Sequence, residues 1–231
     1  MLKTKEAIVL AGGLGTRLKG IISDIPKPMA PVANKPFLIY IFNYLKKQGI
    51  ERIILSVGYK YEVIQDYFSN NYEGIDLVYS VENEPLGTGG GIRLAIDKLK
   101  TDTAFVINGD TFFNVDLKQQ ENLAIKINSD LNLALKPMID FDRYGSVSLS
   151  NNTIISFKEK QFVKEGLING GVYWLKKSFL DSFKSGQKFS FEKDLMEKEV
   201  LEGKISGYIS DNYFIDIGIP QDYKKANIDF L

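Results

Sequence analysis

"KEAIVLAGGLGTRLKG", residues 5–20, runs an apolar segment straight into a glycine-rich turn. Residues 5–11 read as a buried strand, and the glycines mark where that strand stops. Two familiar phosphate-binding turns place particular residues at this point. A dinucleotide fingerprint needs a third glycine where the next helix opens, but Gly13-Leu14-Gly15-Thr16-Arg17 is followed by Leu18. A P-loop needs Gly-Lys-Ser/Thr, and Gly15 leads instead into Thr16 and Arg17. What remains is Gly12, Gly13 and Gly15, whose backbone N–H groups are open to a ligand, beside an arginine able to grip phosphate oxygens bidentately. The turn is suited to an anion.

Beyond this turn, strand-like and helical patterns alternate. Phe37, Leu38, Tyr40, Ile41, Tyr44 and Leu45 recur at helical spacing, Gly49 reads as a C-cap, and Arg52–Val57 is the next strand. Helices near Glu62–Phe68 and Ile92–Lys100 then alternate with strands near Asp76–Val81 and Ala104–Asn108. This rhythm predicts an α/β fold with a largely parallel sheet and right-handed crossovers. After Asp110 the strands shorten and the pattern becomes mixed: Leu131–Leu135, Ser146–Leu149, Thr153–Phe157 and Ile168–Trp174. Helical segments near Lys176–Phe183 and Ser190–Leu201 precede strands near Lys204–Ile209 and Tyr213–Ile217, and Pro220 can open a last helix. There is no internal repeat, linker or low-complexity tract. Residues 1–231 are therefore read as a single domain, its second half extending the sheet of the first.

Composition narrows the chemistry. The chain has no cysteine and no histidine, which excludes disulfides, thiol nucleophiles, Ser-His triads and Cys/His zinc sites. Any metal would sit on oxygen ligands, favouring Mg2+, Mn2+ or Ca2+. The 29 Lys plus Arg balance 29 Asp plus Glu, so no global field draws the chain to nucleic acid or to an anionic membrane. No apolar run reaches about 18 residues and no signal-peptide pattern precedes Val9, so a cytoplasmic protein with a small charged ligand is expected. A homo-oligomer is compatible with the sequence but not required by it.

In an open parallel sheet, ligands bind beyond the carboxyl ends of the strands. Lys27, in "SDIPKPMAPV" (23–32), is held between prolines and, with Arg17, offers two cations beside the glycine turn. Such groups neutralise charge on a phosphorus centre under attack. Asp110, in "INGDTFF" (107–113), and Asp216, in "FIDIGIP" (214–220), stand in apolar company. An ionised carboxylate there is costly unless paired or metal-bound, so the two are candidates to share one Mg2+ with phosphate oxygens. In "SVENEPLGTGGG" (80–91), Gly87 to Gly91 let a ligand approach the backbone where a helix begins. Glu82, at the preceding strand end, could accept from the N1–H and N2 amino group of guanine, whereas a uracil or thymine edge would favour an amide. Glu159 and Lys160 in "FKEK", with Asn169 and Gly170 in "INGGVY", supply donors and acceptors suited to a sugar phosphate. Tyr144, Tyr173 and Trp174 read as core residues rather than stacking platforms.

Taken in order, "LAGGLGTRL", "PKPMAPV", "PLGTGGG", "NGD", "FKEK", "NGGVYW" and "FIDIGIP" resemble the sugar-1-phosphate nucleotidylyltransferases over nearly the whole chain. "SDIPKPMAPV", "GLINGG", "FSFEKD" and "YFIDIGIPQDY" are most similar to the members that act on D-glycero-α-D-manno-heptose 1-phosphate with GTP. The resemblance implies the nucleotide-diphospho-sugar transferase fold: a Rossmann-like, mixed but mostly parallel sheet flanked by helices, with a small sugar-binding lobe. Residues 1–110 would be the nucleotide-binding half and residues 111–231 the sugar-binding half. Arg17 and Lys27 would bind and polarise the phosphates, and Asp110 with Asp216 would hold Mg2+. Leu10, Ala11, Gly12, Gly13, Gly15, Thr16, Glu82, Pro85, Gly87 and Thr88 would form the nucleotide site. Asn108, Gly145, Glu159, Lys160, Asn169 and Gly170 would face the sugar. The partners implied are GTP and a sugar 1-phosphate, the latter attacking the α-phosphorus to give a nucleotide sugar, such as a GDP-heptose, and pyrophosphate.

Departures accompany the likeness. Lys19-Gly20 follows Arg17-Leu18 where the family often has Pro and Thr, and Gln161 rather than proline follows "FKEK". No β-helix domain of the kind some relatives carry is expected after residue 231. Mannose or glucose 1-phosphate is the alternative acceptor. A glycosyltransferase is disfavoured because Asp110 is followed by Thr111-Phe112 rather than completing an Asp-x-Asp pair. A non-catalytic sensor is disfavoured because Arg17, Lys27, Asp110 and Asp216 are all present.

Overall fold

Strands without a polar face must be covered on both sides, and here they form the middle of one large sheet. The computed structural model describes residues 1–13 and 25–231. In chain order, β1 (Glu6–Leu10) is followed by the short pair β2 (Pro31–Val32) and β3 (Lys35–Pro36), then α1 (Phe37–Gln48) and β4 (Arg52–Val57). Next come α2 (Tyr61–Phe68), β5 (Asn71–Tyr72), β6 (Ile75–Val81), α3 (Gly87–Ile96) and β7 (Thr103–Asn108). The second half holds β8 (Thr111–Phe113), α4 (Leu117–Lys126), β9 (Leu131–Phe141), β10 (Ser146–Ser150), β11 (Thr153–Lys158) and β12 (Val163–Lys176). A π-helical turn (Phe191–Met196) runs into α5 (Glu197–Glu199), and β13 (Ile205–Ile209), β14 (Phe214–Asp216) and α6 (Pro220–Asp229) follow.

The main sheet has ten strands in the order β10-β11-β13-β9-β12-β7-β1-β4-β6-β5. β7, β1, β4 and β6 are mutually parallel, the doubly wound arrangement expected of the first half. β12 then lies antiparallel on β7, with Val172 opposite Ile107, and carries the sheet into the second half. There only β13 and β9 pair in parallel, so the sheet is mixed as a whole. α1, α2, α4 and α6 cover one face, where Phe37, Ile64, Leu117 and Ala226 pack over Val9 and Ile53. The other face is closed by α3 and residues 189–200, which pack over Ile8 and Ile54.

Local chemistry sets the element ends. Gly49 has φ +92°, a left-handed C-cap for α1 that a residue with a Cβ would enter at a cost. Asp116 accepts from the Gln119 N–H at 3.0 Å and caps α4, a helix the sequence analysis did not anticipate. α3 starts five residues before the expected Ile92, so the glycine run is helical rather than a loop leading to a helix. The helix expected near Lys176–Phe183 is a single 3-10 turn, Lys177–Leu180. Among the described residues, no helix is long and apolar enough to cross a membrane.

Candidate active site

The carboxyl ends of β1, β4, β6 and β7 open onto a cavity of about 650 Å³. Leu10, Gly12 and Gly13 border it from the first strand end, and Glu82, Pro85, Gly87 and Thr88 from the turn between β6 and α3. Ala11 does not border it. It is buried, and its N–H donates to the Ser56 carbonyl at 2.7 Å, which ties the first loop to β4. Gly15, Thr16 and Arg17 lie outside the described residues.

Glu82 points inward. Its Oε1 accepts from Ser56 Oγ at 3.2 Å and its Oε2 from the Leu86 N–H at 3.0 Å. The glycines of α3 exist for the protein's own packing as much as for a ligand. A Cβ on Gly89 would stand 2.2 Å from the Phe189 ring, one on Gly90 2.5 Å from the Gln187 carbonyl, and one on Gly91 2.7 Å from Glu82 Oε1. Only by lacking side chains can these residues let the 187–189 segment and the Glu82 carboxylate come so close.

Lys27 stands in a 3-10 turn (Lys27–Met29) between Pro26 and Pro28. Its Nζ lies 2.5 Å from Asp110 Oδ2 and 3.8 Å from Asp216 Oδ1, with the lysine side chain only 13% exposed. The two acids are far apart in sequence but are joined by backbone. β8 and β14 pair antiparallel with Asp216 opposite Thr111, and the Ile217 N–H donates to the Asp110 carbonyl at 3.0 Å. Burial raises the Asp216 carboxyl above its ordinary value and the charge of Asp110 adds to this, opposed by Lys27, the Gly218 N–H and Arg143. A Cβ on Gly218 would fall 2.8 Å from Asp216 Oδ1 and 3.2 Å from Lys27 Nζ, so the acids sit in a cradle kept open by a glycine.

This donor set fits a hard divalent cation. Among the described residues no three acidic side chains are placed to hold one metal ion together, so an ion here would take two carboxylates from the protein and its other ligands from phosphate and water. That is the usual habit of Mg2+.

A second cavity, of about 710 Å³, is bordered by β10, β11 and β12. Gly145, Glu159, Lys160, Asn169 and Gly170 all border it. Asn169 Nδ2 donates to the Tyr173 hydroxyl at 2.9 Å, while its Oδ1 accepts from the Gly171 N–H at 3.1 Å. Glu159 is exposed and 3.9 Å from Lys193. Gly170 lies against the Phe113 ring, which a Cβ would approach to 2.3 Å. The two cavities share Asn108, Asp110 and Glu192.

Several residues at the site were not singled out from sequence: Ser56, Arg143, Ser190, Glu192 and Lys193. Glu192 is held by Thr88 Oγ1 at 2.8 Å and Ser190 Oγ at 3.1 Å. "FSFEKD" was the signal for it, but only folding brings that turn beside α3. Two aromatic residues read as core also border the second cavity. Tyr144 is partly exposed there, and the ring of Tyr173 is buried. Trp174 is core, donating its Nε1–H to Thr4 Oγ1 at 3.1 Å.

A family model described as "Nucleotidyl transferase" matches residues 6–231. The D-glycero-alpha-D-manno-heptose 1-phosphate guanylyltransferase of Aneurinibacillus thermoaerophilus is 55% identical, the match covering 96% of each chain. The protein of the same name from Campylobacter jejuni is 54% identical over 94% of this chain and 96% of its own. Among solved structures, HddC from Yersinia pseudotuberculosis complexed with GMP-PN superposes with a TM-score of 0.88 at 40% identity, covering 99% of this chain and 100% of that one.

Proposed function

The chain belongs to the nucleotidyl transferase family, and we propose that it transfers GMP from GTP to D-glycero-α-D-manno-heptose 1-phosphate, releasing pyrophosphate. One observation carries the reading. A cavity bordered by Glu82 and a cavity bordered by Glu159, Lys160 and Asn169 meet at Asp110. A nucleotide in the first and a sugar phosphate in the second would have their phosphates together at the one place where Lys27 and the paired acids lie. The names of relatives that are 55% and 54% identical supply the base and the sugar.

The chemistry needs no protein nucleophile and no general base. The phosphate oxygen of the sugar 1-phosphate is already anionic. It forms a bond to the α-phosphorus in line with the bond to the bridging oxygen, which breaks and leaves with pyrophosphate. The work left to the chain is positioning and charge neutralisation. Glu82 would accept from the N1–H and N2 amino group of guanine, and the backbone of Gly12 and Gly13 would face the phosphates. Lys27 would oppose the negative charge that gathers at the α-phosphorus, and Arg17 would do so for the departing pyrophosphate. Asp110 and Asp216 would hold Mg2+. When bound, that ion draws charge from the phosphate oxygens and fixes their geometry. On the acceptor side, Lys160 would steer the sugar phosphate, Asn169 would donate to or accept from hydroxyls, and Glu159 would accept from them.

The test is pyrophosphate release with Mg2+, pairing GTP, UTP, CTP, ATP and dTTP with heptose, mannose and glucose 1-phosphates. Turnover at least tenfold faster with GTP and the heptose phosphate than with any other pair is expected. Faster release with a different base or sugar would overturn the substrate assignment, and none with any pair would overturn the activity.

A further inference from the structure

Glu82 can read a base only if its carboxylate is held still, and the side chain that holds it is not among the residues so far given a role. Ser56 is the penultimate residue of β4 and is 1% exposed, yet it borders the nucleotide cavity. Its carbonyl accepts the Ala11 N–H at 2.7 Å, which fixes the strand end against the first loop. Its Oγ lies 3.2 Å from Glu82 Oε1, and the Leu86 N–H lies 3.0 Å from Oε2, so each carboxylate oxygen has one donor from the fold. A carboxylate has about four acceptor positions, so one on each oxygen is left for a ligand. Gly91 completes the fit: a Cβ there would stand 2.7 Å from Glu82 Oε1 and 2.9 Å from Ser56 Oγ.

We infer that Ser56 is a positioning residue for base selection: its hydroxyl sets the rotation of the Glu82 carboxylate so that one acceptor position on each oxygen faces the adjacent N1–H and N2 amino group of guanine. The inference rests on the reading of Glu82 as the base acceptor. Ser56 touches no reacting atom. Without its hydroxyl, Oε1 loses its donor, the carboxylate turns toward water, and paired acceptance from guanine is lost while phosphate and sugar contacts stay. Its neighbour in register, Ser80, is also fully buried, and its Oγ has no hydrogen-bond partner among the described residues, which makes it the matched control.

The experiment measures kcat/KM for GTP and for ITP, whose base keeps N1–H but lacks the N2 amino group. It uses the wild type, Ser56→Ala, Ser80→Ala, Glu82→Gln and the Ser56→Ala/Glu82→Gln pair, at fixed sugar 1-phosphate. Ser56→Ala should lower the GTP:ITP ratio about tenfold through a higher KM for GTP, with KM for the sugar phosphate unchanged. Ser80→Ala should keep the wild-type ratio, and Ser56→Ala should add nothing once Glu82 is Gln. A ratio within about twofold of wild type in Ser56→Ala, while Glu82→Gln loses the preference, would overturn the role of Ser56 and leave Glu82 standing. An unchanged ratio in Glu82→Gln would overturn both. If Ser56→Ala does not fold, Ser56→Cys, similar in size but a weak donor, decides the question by the same ratio.

Discussion

Lys27 lies 2.5 Å from one carboxylate and 3.8 Å from another, so a single ammonium group balances two acids in a partly buried place. Replacing it by methionine keeps the length of the side chain and removes the charge. We expect Lys27→Met to lower kcat by about 10²–10³, the cost of losing one preorganised charge-stabilising group, with a smaller effect on KM for GTP. Steady-state kinetics would check this, and a kcat within about threefold of wild type would contradict it. Gly91 is the opposite case, a residue that acts by having nothing. Gly91→Ala should raise KM for GTP at least tenfold because its Cβ would meet Glu82 and Ser56. Its melting temperature should move little, since the helix gain of up to about 1 kcal/mol from Gly to Ala offsets crowding. At this scale the individual side chains Lys27, Glu82, Asp110 and Asp216 were legible, because a charged residue beside a strand end needs a partner. The distances between them were not. Nothing in the spacing of Asp110 and Asp216 says that β8 and β14 will pair and bring them together.

Among the elements, the amino-terminal ends of β1, β4 and β7 are tied by Glu6, which is 3% exposed at the start of β1. Its oxygens accept from Arg52 Nη1 at 2.6 Å, from the Lys100 and Thr101 N–H groups at 2.8 Å, and from Thr101 Oγ1 at 2.6 Å. Burial pushes the Glu6 carboxyl up, but the combined hydrogen bonds from Thr101, Arg52 and Lys100 outweigh it, and the net direction is down from 4.5. A lowered folded-state value means that the unfolded chain binds more protons. The stabilisation is therefore complete above about pH 4.5 and is lost as pH falls through the folded value. Glu6→Gln should cost about 2 kcal/mol at pH 7, and the gap from wild type should narrow below pH 4.5, as read by denaturant titration at several pH values. The glycines of α3 offer a second test. Gly89→Ala drives a Cβ to 2.2 Å from the Phe189 ring and should destabilise by about 1–3 kcal/mol, and Phe189→Ala in the same chain should relieve part of that strain. Strand and helix types in the first half were readable from apolar periodicity. The start of α3 was not, because four glycines among its first five residues weaken a helix locally, and its packing against Phe189 overrides that preference. α4 was missed because its pattern is largely polar, with Leu117 and Ala124 its only buried apolar residues.

For the whole molecule, one sheet crosses from the first half of the chain to the second through the β7–β12 ladder. Trp174, the single tryptophan, lies in that ladder opposite Phe105 and is 2% exposed. Its fluorescence should therefore report the joint between the two halves, and its thermal transition should coincide with loss of far-UV circular dichroism. Two separated transitions would mean that the halves unfold independently. The absence of a linker foretold the shared sheet, and the change of rhythm after Asp110 its mixed character. The expected shortening of the strands there was wrong for β9 and β12, which run to 11 and 14 residues because they pair with each other well beyond the segments the apolar pattern marked. The meeting of the two cavities was not foreseeable, because Glu192 reaches α3 from a turn more than one hundred residues away.

In the proposed reaction both substrates are bound at once and react directly, with no covalent enzyme intermediate. It is tested by the stereochemistry at the α-phosphorus, using GTP made chiral there by a sulfur substitution and analysing the nucleotide sugar by phosphorus NMR. A single in-line displacement inverts the centre, and inversion is the result expected. Retention would require two displacements, and hence a protein nucleophile, and would contradict direct transfer.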